Sequence, residues 1–115
     1  MLYTKNANVT TTDVTSIVTI PNGYVAHWNM LFITNLGGST DTATIYVDKA
    51  DGTDLYILNG TSISGKDFLL LSEAVVVLHP ADVIKCSTGT AGNIEVVLTF
   101  DLMEAPAVFT NFNGA

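Results

Sequence analysis

The chain has 115 residues, room for one domain with a single core, and no more. Hydrophobic residues make up 48% but charged residues only 13%, so the body is not disordered and its surface must be uncharged polar or covered by other subunits. Four Lys and Arg against eleven Asp and Glu give a net charge of -7, which argues against binding nucleic acid or an anionic membrane, since both need clustered cations.

Valine, isoleucine, threonine and aromatics dominate, apolar residues alternate with period two, and turn signals recur at sandwich or barrel rhythm. "LYTKNANVT" opens as a strand, and "DVTSIVTI" is a second, ended by Pro21-Asn22-Gly23. "YVAHWNMLFITN" is the longest strand. Simple alternation puts Tyr24, Ala26, Trp28, Met30 and Phe32 on its core face and Val25, His27, Asn29, Leu31 and Ile33 on the other. After "LGGST" comes "TATIYVDK", with Ala43, Ile45 and Val47 inward. An Asp-Gly hairpin follows in "ADGT". "DLYILN" is a strand and "GTSISGK" a loop. "DFLLL" and "AVVVL" are short apolar strands, and "DVIKCS" and "NIEVVLTFDLM" close the sheet. Eight or nine strands predict an all-β, two-sheet antiparallel sandwich of jelly-roll or Greek-key type over residues 1–103, with a closed barrel as the weaker alternative.

The tail 104–115, "EAPAVFTNFNGA", carries Val108, Phe109 and Phe112. Two phenylalanines are costly to leave in water. The tail therefore packs on its own domain or lies as an arm on a neighbour, with simple disorder as the remaining reading. "MLYTKNANVT" turns polar within three residues and shows no signal peptide, so the sequons at Asn8 and Asn59 read as chance matches.

The stretch "VVVLHPADVIKCSTGTAG" places His79 and Asp82 near the single cysteine, Cys86. Asp82 and Cys86 are four residues apart on a strand, about 13 Å. If Pro80-Ala81 is a tight hairpin turn, Cys86 lies opposite Val75 and far beyond hydrogen-bonding reach of His79. Cys86 alternates with Ile84 and reads as a buried hydrophobe, and Asp82 as a residue that caps the turn through its side chain. His27 reads as a surface residue. Asp48, Asp51 and Asp54 superficially suggest a calcium loop but lack its alternate ligands and distal Glu. Glu73, Glu95 and Glu104 are scattered. Tyr46 is placed outward, while Tyr56 and Trp28 read as core, so no line of three exposed aromatics marks a sugar site. No catalytic residue, cofactor site or metal site emerges.

Pro21-Asn22-Gly23, Leu31 to Asn35, Ile45 to Val47, Asp51-Gly52 and Leu78 to Asp82 together resemble the small β-sandwich virion proteins of tailed bacteriophages, over roughly residues 9 to 101. The family's Leu-x-Pro-Gly-Asp turn has Ala81 in place of glycine here, which predicts a type I turn. The resemblance implies no catalysis and no cofactor. It implies a virion protein that decorates or cements the capsid, or sits at the neck or tail as an adaptor. Its expected partners are copies of itself, with a trimer favoured, and the major capsid protein or another virion protein. The expected contacts are Met1, Leu2 and Tyr3 and the tail residues Val108, Phe109 and Phe112. A carbohydrate-binding sandwich is the competing class.

Overall fold

The structure is a computed structural model that describes residues 1–72, 76–89 and 93–104. The described residues form nine strands in two antiparallel sheets. They are β1 (Leu2–Val9), β2 (Thr15–Thr19), β3 (Tyr24–Asn35), β4 (Asp41–Asp48), β5 (Asp54–Ile63), β6 (Phe68–Leu71), β7 (Val76–Leu78), β8 (Val83–Thr88) and β9 (Ile94–Glu104). One sheet runs β1-β9-β3-β6, with β7 also on β3, and the other runs β2-β8-β4-β5.

β6 pairs with Leu31–Thr34 and β7 with Ala26–Trp28, so they lie end to end along one edge of β3. Taken as one interrupted strand, they reduce the count to eight. The orders become 1-8-3-6 and 2-7-4-5, which is a jelly roll. Among the described strands only β4 and β5 are consecutive in sequence and paired with each other. The expectation that "DVIKCS" and "NIEVVLTFDLM" close one sheet is therefore corrected: β8 and β9 belong to opposite sheets.

The core is built from alternating strands. Ala43, Ile45, Val47, Ile84, Cys86, Ile94, Val96 and Leu98 are fully buried, and Ile33 and Leu78 close the interior. In β3 the simple alternation fails. Ala26 and Trp28 point inward, but beyond them Leu31, Ile33 and Asn35 are the buried residues, and Met30 and Phe32 are not. The register against β9 slips between Trp28 and Met30. One extra residue in a strand reverses the facing of everything after it. The Trp28 indole N–H donates to the Met30 carbonyl at 2.9 Å across this bulge.

β5 is also longer than expected. "GTSI" continues the strand because Gly60, with φ 61°, takes up a second irregularity opposite β4. Its N–H donates to Thr44 Oγ1 at 2.9 Å.

Candidate functional site: ties and interaction surfaces

Each end of the sandwich holds a polar side chain that is almost wholly buried, Asp82 at one and Asn35 at the other. At the first end, Asp82 is 1% exposed. Its Oδ2 accepts the His79 N–H at 2.8 Å and the Lys49 ammonium at 3.0 Å, and its Oδ1 accepts the Ala50 N–H at 2.9 Å. The adjoining backbone binds the end of β2. Ile20 N–H donates to the Asp82 carbonyl and Ala81 N–H to the Ile20 carbonyl, both at 2.9 Å. One carboxylate thus ties the β7–β8 connection to the tip of the β4–β5 hairpin. Burial pushes the Asp82 carboxyl pKa up, but the two N–H donors and Lys49 outweigh it and hold it below its usual 3.8.

Asp82 therefore caps the turn, as its position in the sequence implies. The turn itself differs from expectation in two ways. It is not a β-hairpin, because β7 lies in one sheet and β8 in the other, so it is an arch between sheets. Cys86 accordingly pairs with Thr15 and Ile45 rather than opposing Val75. The turn is also not type I. Ala81 has φ 69° and the Asp82 N–H donates to the His79 carbonyl at 3.1 Å, the geometry of a type II turn. The surrounding hydrogen bonds impose a conformation that alanine disfavours.

At the opposite end, Asn35 is likewise 1% exposed. Its Nδ2 donates to the Ser39 and Ile63 carbonyls at 2.8 and 2.9 Å, and its Oδ1 accepts the Gly37 N–H at 3.0 Å. The sequence reading gave Asn35 no role. An Asn ending a long apolar strand just before Gly-Gly was the available signal.

The residues that looked chemical are occupied structurally. Cys86 is fully buried, and burial pushes its thiol up to about 11. His79 Nδ1 stands 3.9 Å from Asp82 Oδ2, on a carboxylate already holding three donors. His27 is exposed on the outer face of its sheet. In the hairpin, Asp51 Oδ1 accepts from Thr53 N–H and Oγ1 at 3.0 and 2.6 Å, while Asp48 pairs with Lys85 at 2.7 Å. No group of three or more metal-ligating side chains converges among the described residues.

Among the described residues, exposed apolar side chains gather on three surfaces with stacked aromatic rings. Met1, Leu2 and Tyr3 are exposed on the edge strand β1, where Tyr3 stacks on Phe100 at 5.9 Å between centroids. The Leu102 N–H donates to the Met1 carbonyl at 2.8 Å, so this corner adjoins the point where the chain leaves β9. The other three expected contact residues, Val108, Phe109 and Phe112, lie outside the described residues. On the second sheet, Tyr46 and Tyr56 stack at 5.1 Å. Tyr56 is exposed rather than core, because β5 is an edge strand and Tyr56 sits on its outer side opposite Tyr46. Trp28 is buried, so it does not extend this pair.

The third surface lies on the outer side of β3 and β6. Phe32 pairs with Leu70 and Val97, Phe68 pairs with Thr34, and Phe32 and Phe68 stack at 5.3 Å. Phe68 is 56% and Leu70 46% exposed. Exposed, adjacent large apolar side chains of this kind mark contact surfaces.

The sequence matches no protein-family model and no curated protein. In fold it is similar to a chain of the acidic stable capsid structure of Helicobacter pylori bacteriophage KHP30. That match has a TM-score of 0.54 at 15% identity and covers 91% of this chain and 93% of that one. A chain of infectious bursal disease virus, Gx strain, matches with a TM-score of 0.45 at 16% identity, this chain spanning 33% of its length. A family 16 carbohydrate binding module matches with a TM-score of 0.28 at 14% identity. What the chain shares with the phage capsid structure is a β-sandwich fold along nearly the whole of both chains.

Proposed function

We propose that this chain is a structural virion protein of a tailed phage, which decorates or cements the outer capsid surface through protein–protein contacts. The observation that carries the reading is the near end-to-end fold likeness to a chain of a phage capsid structure. Jelly rolls are frequent in viral capsids, and the low charge and exposed apolar side chains suit a subunit covered by neighbours. In this reading the protein acts as a homo-oligomer, a trimer being favoured, and Met1, Leu2, Tyr3, Val108, Phe109 and Phe112 contribute contacts to its own copies or to the major capsid protein.

Quantitative mass spectrometry of purified particles, with a reconstruction of the same particles, tests this. A decoration protein is present in many copies that follow the capsid lattice. A few copies at one vertex would move it to the neck or tail, and absence from the particle would overturn the virion role.

A further inference from the structure

We infer that the outer patch formed by Phe32, Phe68 and Leu70 is the dock for the segment Val108–Phe112 of a second copy of this chain. The inference deepens the assembly reading above by naming the partner surface.

The argument is one of reach. β9 ends at Glu104, which pairs with Tyr24 at the Asp82 end of the sandwich. The patch lies toward the Asn35 end, since Leu70 pairs with Phe32 and Phe68 with Thr34. Phe32 is eight residues along β3 from Tyr24, a separation of about 26 Å. Phe109 and Phe112 follow Glu104 by five and eight residues, which span at most about 18 and 29 Å when fully extended.

β9 also leaves the sheet pointing away from the patch, so a chain folding back onto its own patch must first reverse direction. That turn uses residues that contribute no reach. The Phe109 backbone falls short of Phe32 on its own subunit, and Phe112 comes within reach only along a nearly straight path, which the reversal shortens. A neighbouring copy, placed with its patch near this exit, has no such limit.

The chemistry is matched. Residues 105–115 carry no charged side chain, and Phe32, Leu70 and Val97 form an uncharged row across three strands. Burying Phe109 and Phe112 there removes apolar surface from water on both partners. Donor and acceptor are different surfaces, so the contact builds a two-fold dimer where two copies exchange tails, or a ring where each tail passes to the next copy and the rotation closes.

The test uses the full chain. Single variants Leu70→Cys and Phe112→Cys are mixed and mildly oxidised; the native Cys86 is buried and stays silent. A disulfide between positions 70 and 112 of different chains, found by peptide mass spectrometry, supports the dock. In parallel, Leu70→Lys and the double variant Phe109→Ser/Phe112→Ser are compared with wild type by light scattering, with circular dichroism to confirm the fold. The expected result is folded protein whose self-association is at least tenfold weaker. A monomeric wild type, no cross-link in the mixture, or folded variants that associate as wild type does would each overturn the inference. None of these outcomes depends on where the protein sits in a particle, which the copy-number experiment reads separately.

Discussion

Replacing Asp82 with alanine removes the carboxylate that ties the β7–β8 connection to the tip of the β4–β5 hairpin. The structure sets the magnitude. The carboxylate is 1% exposed and accepts two backbone N–H groups and one ammonium, at 2.8 to 3.0 Å. Lys49 is partly exposed and can turn to water, so its share is small. The two N–H groups lose a charged acceptor, at about 1.5–3 kcal/mol each. Some of that is recovered from water in the cleft lined by Lys49, Ala50, Asp51, His79 and Asp82. The net loss is about 3–4 kcal/mol, within the range for breaking a buried charged network.

Urea denaturation followed by Trp28 fluorescence measures it. With a slope of about 1.5 kcal/mol/M, the midpoint falls by about 2–2.7 M. Asp82→Asn keeps one acceptor oxygen and loses about half as much. The pH dependence is a second reading. The folded pKa lies below the unfolded 3.8, so the stabilisation is fully present above pH ~4 and is lost as pH falls through the lower folded value. The asparagine variant should lack this acid-limb component. A midpoint within 0.5 M of wild type for the alanine variant, about 1 kcal/mol or less, would refute the reasoning.

Three further outcomes are expected. Ala81→Gly relieves the left-handed conformation at φ 69° and raises stability by about 0.5–1 kcal/mol, net of glycine's greater unfolded-state entropy, read from the urea midpoint. Gly65→Ala places a Cβ into the backbone of Gly38 and Ser39 and lowers stability by about 1–3 kcal/mol in the same assay; an unchanged midpoint would show that this loop gives way freely. Cys86, buried with its thiol pushed up to about 11, reacts with an aromatic disulfide reagent at pH 8 only at the rate of unfolding, and fast labelling of native protein would contradict its placement.

The sequence alone determined the all-β class, the strand count and the inward faces of β4 and β8, because period-two alternation and turn residues are local properties of the chain. It also identified Asp82 as a cap, from its place at the turn, and Cys86 as core, from strand phase. Which strands pair was not legible. A jelly roll brings β9 between β1 and β3 and sends β7 and β8 to opposite sheets, and pairing at such sequence separation is decided by how two apolar faces close on each other. The same holds for the bulge after Trp28, which turns Leu31 and Ile33 inward and Phe32 outward. Nothing in "HWNMLFI" marks the extra residue, since both faces there are apolar. The left-handed Ala81 is held by its own bond to Ile20 and by the bond of Asp82 to Ala50 in the hairpin tip, 32 residues from Asp82. The outward-facing Phe32–Phe68 pair, and with it the proposed dock, follows from that bulge: only the closed tertiary structure decides which of two apolar faces is left for a partner.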